Sequence, residues 1–187
     1  MVKLYKNFNI KNNHKNSLIL IGNFDGVHLG HQKLFKLAKL YKKKYKIKIG
    51  VVNFDPMPKM FFNKLLKNFR ITSINQKIEL LSKLKVDFII TKKFDKKFSK
   101  TKSYNFIKEI LNKKLNSKFI FVSNNFRFGN KREGNVDLLI KNEKKFNFKV
   151  VKPEPLIKQK KLISSTLIRS LLEKGYLELL GLNTLTA

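Results

Sequence analysis

Residues 20–31 read LIGNFDGVHLGH, and this stretch decides the fold of the chain. The apolar run over 17–21 suits a central strand of a parallel sheet. Gly22 and Gly26 permit positive-φ turns, in which the backbone can approach a ligand closely. From Leu29 onward, apolar residues recur at helical spacing with lysines between them. The stretch therefore predicts a buried strand, a tight turn and a helix, in that order.

His28 and His31 flank Gly30 in the turn that enters this helix. The first amides of a helix are free donors and favour anions, and Gly30 removes the side chain that would hold a phosphate away from them. A single histidine here would more often be a helix cap or a satisfied polar residue. Two of the three histidines of the chain lie at this turn, and this predicts a site that handles nucleotide phosphates.

The composition limits the class of protein. The chain has 187 residues and no cysteine, which fits one domain and excludes disulfides, thiolate metal sites and a cysteine nucleophile. The start of the chain has no long apolar leader, and no segment reaches the ~18 apolar residues of a membrane span. We therefore expect a cytoplasmic monomer with no membrane partner.

The formal net charge is +30, from 42 lysines and arginines against 12 acidic residues. The lysines are spread over every segment, which indicates solvated surface and no specific nucleic-acid site, although the positive field will attract polyanions weakly. Only four of the basic residues are arginines. Arginine kept amid lysine indicates a need for its planar, bidentate fork. For Arg70 we weigh that role evenly against a structural pair with a carbonyl or carboxylate.

Apolar runs and amphipathic segments alternate along the chain. Such alternation predicts βαβ units, and hence an α/β fold with a parallel sheet and helices on both faces. The predicted strands span 17–21, 47–54, 86–91, 119–122 and 148–151, with an edge strand at 2–5. The predicted helices begin at 29 and span 74–84, 103–114, 135–145 and 165–174.

A second chemical segment is Phe54-Asp55-Pro56-Met57-Pro58, which follows a predicted strand. Its two prolines should stiffen an extended loop at the carboxyl end of the sheet, where ligands bind in open α/β folds. A rigid surface loop is the plainer interpretation of this segment by itself.

A third segment, residues 123–134, reads SNNFRFGNKREG and also follows a strand. Aromatic faces that alternate with hydrogen-bonding groups suit a flat heteroaromatic ring whose edge must be recognised. The two glycines of the segment, Gly129 and Gly134, indicate a flap that can move.

The fourth segment is Ile163-Ser164-Ser165-Thr166-Leu167-Ile168-Arg169. Ser164 or Ser165 is a natural helix N-cap, and Arg169 lies one turn further along, so the start of this helix can hold a polyphosphate. Gly175 is a plausible residue to follow the end of the helix. A helix cap alone would explain the serines but not the arginine.

These four segments, in this order, resemble the FMN adenylyltransferase module of bacterial bifunctional riboflavin kinase/FAD synthetases, over about residues 16–181. The His-x-Gly-His element alone would mark only the wider nucleotidyltransferase superfamily. The elements at 125–129 and 163–169 narrow the resemblance to its flavin branch. The resemblance implies a Rossmann-like nucleotidyltransferase fold. It also implies in-line attack of the FMN phosphate on the α-phosphorus of ATP, which gives FAD and pyrophosphate with no covalent enzyme intermediate.

The resemblance also implies roles for single residues. The catalytic residues would be His28, His31 and Arg169. The ATP-binding residues would be Gly22, Asn23, Phe24, Asp25, Gly26, His28, Gly30, His31, Ser164, Ser165, Thr166 and Arg169. The FMN-binding residues would be Phe54, Pro56, Pro58, Asn125, Phe126, Arg127 and Phe128. Mg²⁺ is implied with ATP, held mainly by phosphates and water and by no metal site of the chain itself, since the motifs offer few carboxylates besides Asp25.

The chain departs from the family pattern at three points. Met57 stands where family members commonly have histidine, and Asn125 stands where they often have aspartate. The family also continues into a riboflavin kinase domain, whereas this sequence ends at Ala187. We therefore expect a single domain over 1–187 without riboflavin kinase activity, and a separate riboflavin kinase is one source of its FMN.

Two other interpretations stay open. One is a nucleotidyltransferase with another phosphate acceptor, such as a nicotinate or pantetheine phosphate. The other is a catalytically degenerate module that binds flavin or nucleic acid, which Met57, the absent kinase domain and the high charge would favour. Formation of FAD from ATP, Mg²⁺ and FMN separates these interpretations from a FAD synthetase.

Overall fold

The centre of the fold is a six-stranded sheet in which every neighbouring pair is parallel. The computed structural model describes residues 2–66, 69–158 and 161–174. The strands are β1 (Lys3–Tyr5), β2 (Leu18–Ile21), β3 (Ile49–Asp55), β4 (Phe88–Lys93), β5 (Phe119–Phe121) and β8 (Lys149–Val151). Their order in the sheet is β1-β4-β3-β2-β5-β8. Two small antiparallel hairpins lie outside this sheet: β6 (Arg127–Phe128) with β7 (Gly134–Asn135), and β9 (Ile157–Lys158) with β10 (Lys161–Leu162).

Helices cover both faces of the sheet. All four residues of β2 are buried, because Ile19 and Ile21 face one hydrophobic core while Leu18 and Leu20 face the other. The helices are α1 (Leu29–Tyr45), α2 (Pro58–Phe62), α3 (Ile74–Lys83), α4 (Lys96–Ser99), α5 (Ser103–Asn105) with its π-helical continuation (Phe106–Lys114), α6 (Val136–Lys141), α7 (Glu143–Phe146) and α8 (Ser165–Glu173). Helices α1 and α3 pack on one core, and the π-helical segment and α6 pack on the other. The predicted parallel sheet with helices on both faces is confirmed.

Several element bounds differ from the prediction. Pro58 does not extend the loop after β3 but opens α2, at a position where its missing N–H costs nothing. The helix predicted over 135–145 is divided at Asn142, and α4 was not predicted at all. The predicted edge strand is confirmed, because β1 pairs only with β4 within the described residues. Gly175 lies outside the described residues.

The chain order of the strands places the site. From β2 the chain moves to β3 and β4 on one side, and it then returns to β5 and β8 on the other. Ligands bind at the carboxyl ends of the strands where the order reverses in this way. The three segments that follow β2, β3 and β5 all leave the sheet at this edge. No helix in the described part of the chain is long and apolar enough to cross a bilayer.

Candidate active site

The turn after β2 is built by close packing. Gly26 has a φ of 74°, as predicted, and a side chain there would lie 2.9 Å from Ile71. Gly22 is not in the positive-φ region, so this part of the prediction was wrong; a Cβ at Gly22 would instead lie 3.1 Å from the ring of Phe24. Phe24 itself has a φ of 47° and is only 3% exposed, and its ring packs against Gly22 inside the turn.

Asp25 is the centre of a buried hydrogen-bond network. Its carboxylate is 1% exposed and accepts from the amides of Ile71 (3.0 Å) and Thr72 (3.1 Å), from the Thr72 hydroxyl (3.2 Å) and from Nη2 of Arg169 (2.8 Å). Burial by itself would raise the pKa of Asp25, but the hydrogen bonds from Ile71, Arg169 and Thr72 outweigh it and lower this pKa. Each carboxylate oxygen therefore already accepts two hydrogen bonds.

Arg169 is held in place by its neighbours. Besides its pair with Asp25, its Nε donates to the carbonyl of Phe69 at 2.7 Å, and the guanidinium lies 3.9 Å from the centre of the Phe69 ring. Helix α8 starts beside the same turn. Of the two predicted caps, Ser164 is the one that caps this helix, since its side chain accepts from the amide of Leu167.

The rings of His28 and His31 stack with their centres 3.7 Å apart. Burial lowers the pKa of His28 to about 4, with Asp25 opposing and Arg169 adding to the shift. Burial also lowers the pKa of His31 well below its usual value, and the neighbouring His28 adds to that effect. Both imidazoles are therefore neutral near pH 7, and within the described residues neither Nδ1 has a hydrogen-bond partner.

A cavity of about 410 Å³, called here the histidine cavity, opens beside these rings. Five of the predicted ATP-binding residues line it: His28, Gly30, His31, Ser164 and Ser165. The others, Gly22, Asn23, Phe24, Asp25, Gly26, Thr166 and Arg169, do not. Gly30 is needed for close packing, because a Cβ there would lie 3.1 Å from the carbonyl oxygen of Ile163.

A second cavity of about 270 Å³, the phenylalanine cavity, lies under the segment that follows β5. Five of the predicted acceptor residues line it: Phe54, Pro58, Phe126, Arg127 and Phe128. Pro56 does not line it, and Asn125 lines the histidine cavity instead. Sequence reasoning missed the further aromatic residues of the lining, which are Phe62, Phe94, Phe98 and Phe106. Their helical or strand spacing is the same as that of ordinary core residues, so no local signal distinguishes them.

The loop after β3 places Met57 in the interior. Its side chain is 1% exposed, and it does not line either cavity. Arg70 forms an ion pair with Asp55 at the end of β3. The structural interpretation of Arg70 is therefore the one that the structure supports.

Lys77 of α3 was also missed. Its side chain is 5% exposed, although lysines on an amphipathic helix usually face solvent. Burial lowers the pKa of Lys77, the positive charges of Arg70 and Arg169 add to this shift, and Asp25 and Asp55 oppose it. Three cationic side chains and two carboxylates therefore lie close together beside the turn after β2.

A third cavity of about 320 Å³, the polar cavity, adjoins the other two. It shares Asn124 and Asn125 with the histidine cavity. It shares Phe126, Arg127 and Arg132 with the phenylalanine cavity. The segment after β5 thus connects all three.

Gly129 and Gly134, the glycines of the predicted flap, are closely packed. Gly129 has a φ of 78°, and a Cβ there would lie 2.7 Å from the backbone nitrogen of Ser103. A Cβ at Gly134 would lie 2.8 Å from the ring of Phe128. The hairpin of β6 and β7 is therefore packed tightly against the start of α5.

Comparison with known proteins identifies similar chains. A family model described as FAD synthetase matches residues 10–167. A bifunctional riboflavin kinase/FMN adenylyltransferase of Buchnera aphidicola subsp. Acyrthosiphon pisum is 44% identical over 174 residues, which cover 93% of this chain and 56% of the relative. The protein of the same description from Escherichia coli K12 is 33% identical over 162 residues, 87% of this chain and 52% of the relative. The chain spans about half the length of these relatives.

Two solved structures share the fold. A Streptococcus pneumoniae protein described as a macrolide-efflux protein superposes with a TM-score of 0.77 at 25% identity, over 91% of this chain and 55% of that one. A pantoate-β-alanine ligase of Francisella tularensis superposes with a TM-score of 0.59 at 14% identity, over 90% of this chain and 73% of that one. The second likeness concerns the fold alone.

Proposed function

Because this chain belongs to the FAD synthetase family, we propose that it transfers AMP from ATP to FMN and so forms FAD and pyrophosphate. The observation that carries the proposal is the arrangement of the cavities. The histidine cavity offers donors suited to phosphates, and the phenylalanine cavity offers apolar rings suited to a flavin. Both lie along the segment after β5, so two bound substrates can meet there.

ATP occupies the histidine cavity in this proposal. The free amides at the start of α8 and the N–H groups of the neutral His28 and His31 face its phosphates. As charge builds on the phosphoryl oxygens, such preorganised donors stabilise the transition state more than the ground state. Arg169 adds positive charge behind the turn, where Asp25 and Phe69 hold it.

The acceptor needs no general base. An FMN phosphate has a second pKa near ~6, so most of it is a dianion at neutral pH. One of its oxygens forms the new bond to the α-phosphorus, the bond from that phosphorus to the bridging oxygen breaks, and pyrophosphate leaves with the electron pair. The protein contributes position and charge stabilisation.

Mg²⁺ is proposed to enter with ATP. The oxygens of Asp25 are already occupied by four donors, and the described residues hold no group of three histidine, aspartate or glutamate side chains that could bind a metal ion. Asp25 therefore has little capacity left to coordinate a metal ion. The ion would be held by phosphate oxygens and water, as Mg²⁺ at nucleotide sites often is.

The test is to incubate the purified chain with ATP, Mg²⁺ and FMN and to separate the flavins by chromatography. We expect FAD, and we expect nicotinate mononucleotide and phosphopantetheine to be poor acceptors because neither has a ring system that fills the phenylalanine cavity. If the chain binds ATP and FMN but forms no FAD, the proposal is wrong. If AMP is transferred faster to one of the other acceptors than to FMN, that acceptor is the substrate.

A further inference from the structure

The polar cavity lies where the far end of an elongated acceptor would have to pass. It shares Phe126, Arg127 and Arg132 with the phenylalanine cavity and two asparagines with the histidine cavity. A flavin whose ring fills the phenylalanine cavity can place its phosphate in the polar cavity, next to the histidine cavity. The polar cavity therefore lies at a suitable place to bind the phosphate of the acceptor.

The charge of the polar cavity matches an anion. Among the described residues, its lining carries three cationic side chains, Arg127, Arg132 and Lys152, against one carboxylate, that of Asp137. The structure pairs the other two arginines, Arg70 and Arg169, with aspartates. Within the described ranges, no ion pair or side-chain hydrogen bond is formed by Arg127, Arg132 or Lys152. Two scarce arginines are thus left free to bind phosphate with their bidentate forks.

The backbone holds Arg132 in an unusual conformation. Lys131 and Arg132 have φ values of 50° and 62°, a region that lysine and arginine rarely adopt. The turn is anchored on both sides, since the amide of Asn130 donates to the Thr101 carbonyl (2.8 Å) and the carboxylate of Glu133 accepts from the Ser103 amide (2.6 Å). Strained residues of this kind persist where surrounding contacts fix them, often at ligand sites. The anchored turn carries Arg132 to the boundary of the two cavities.

We propose that Arg132, together with Arg127 and Lys152, binds the phosphate of the acceptor and so makes the site selective for a phosphorylated flavin. This inference rests on the proposed function, because it takes FMN as the acceptor. It names a recognition role for Arg132 and Lys152 that the sequence motifs did not assign. The role is separate from the transfer step, so binding alone can test it.

The experiment compares the affinities of FMN and riboflavin, which differ only in the phosphate. Flavin fluorescence is titrated with the chain, in the presence of an ATP analogue that has a methylene group between its α- and β-phosphorus and therefore cannot react. We expect Arg132→Ala to weaken FMN binding roughly tenfold or more and to leave riboflavin binding within about twofold, the scale of one lost charge-assisted contact. Arg132→Lys should retain part of the FMN affinity, because it keeps the charge but not the fork.

The matched control is Lys141→Ala, which removes one positive charge from the exposed face of α6, outside the three cavities. It should leave the ratio of FMN to riboflavin affinity unchanged. If Lys141→Ala lowers this ratio as much as Arg132→Ala does, or if Arg132→Ala weakens both flavins equally, the proposed phosphate site is wrong. Failure of the proposed function would look different, since the wild-type chain would then bind FMN selectively and still form no FAD.

Discussion

At the scale of single residues, the histidine pair shows how burial sets chemistry. An exposed histidine is partly protonated near neutral pH, whereas burial holds His28 and His31 neutral, with Arg169 adding to the effect at His28 and His28 adding to it at His31. A neutral imidazole has one donor and one acceptor nitrogen, so each ring can offer a single N–H to a phosphate oxygen. The pair therefore contributes directed hydrogen bonds and not positive charge.

Replacement of His31 by alanine should lower the turnover of FAD formation by ~10²-fold or more, which is the usual cost of one lost transition-state donor. FMN binding should stay within a few-fold, because His31 lines the histidine cavity and not the phenylalanine cavity. The measurement is the kcat of FAD formation beside a flavin fluorescence titration. Unchanged turnover would reduce His31 to a packing role, and His31→Gln, which keeps a donor, should recover part of the rate.

Stability should fall as the pH is lowered from about 6.5 to about 4. In this window the unfolded chain protonates histidines that the folded chain keeps neutral, so the free energy of unfolding decreases with each step of acidification. Each unit of pKa difference corresponds to about 1.4 kcal/mol. The measurement is urea unfolding at several pH values. His28→Gln cannot protonate, so its curve should be flatter than that of the wild type; an equally steep curve would contradict the assignment.

Asp25 should matter for folding as well as for catalysis. Asp25→Asn leaves the buried guanidinium of Arg169 without its counter-charge, which should cost on the order of 3 kcal/mol in the free energy of unfolding. Urea unfolding measures this cost. Glu79→Gln removes a carboxylate from an exposed pair with Lys83 and should cost less than ~1 kcal/mol. Equal effects of the two substitutions would show that the buried network is not important for stability.

At the scale of elements, two turns at the carboxyl edge are held by contacts from elsewhere in the chain. The turn after β2 is held by the segment before α3 and by α8. The hairpin of β6 and β7 is held by the start of α5. These contacts explain why periodicity predicted the elements but not the packing of the turns between them.

Gly129→Ala should displace the hairpin, because the new methyl group would meet the backbone of Ser103 and the residue would keep a strained φ. We expect a loss of about 1 kcal/mol or more in stability and a several-fold weaker binding of FMN and riboflavin alike. Thermal unfolding and flavin titration measure the two effects. Asn130 lies on the same turn in an ordinary backbone conformation, so Asn130→Ala should change neither stability nor flavin binding. If Gly129→Ala binds flavin as strongly as the wild type, the prediction is wrong.

At the scale of the whole molecule, the sheet order gathers distant segments at one edge while the positive charge spreads over the surface. The two features have different consequences. The sheet order creates the candidate site. The spread of positive charge creates an electrostatic field that salt screens within ~10 Å at 0.1 M. A role in specific nucleic-acid recognition would require the lysines to form one surface, and the sequence spreads them over every segment.

Binding of the chain to RNA should therefore be weak and should fall steeply between low and physiological salt, as expected for non-specific phosphate neutralisation. A filter-binding or fluorescence-anisotropy titration at several salt concentrations measures the slope. FMN binding in the same buffers serves as the control and should change far less. Binding of RNA that resists salt would contradict the interpretation that the lysines create only a diffuse positive field.

The sequence by itself determined the parallel α/β fold, the strand, turn and helix over residues 20–31, and a serine cap at 164 or 165 for α8. These features follow from periodicity and motif spacing, which are properties of neighbouring residues. Only the tertiary structure decided that Arg169 pairs with Asp25, 144 positions away, that Lys77 is buried, and that both histidines of the turn are neutral. The physical reason is that burial and long-range pairing depend on which segments the sheet order brings together. The turn after β2 is thus local, whereas the cavities around it are created by the fold.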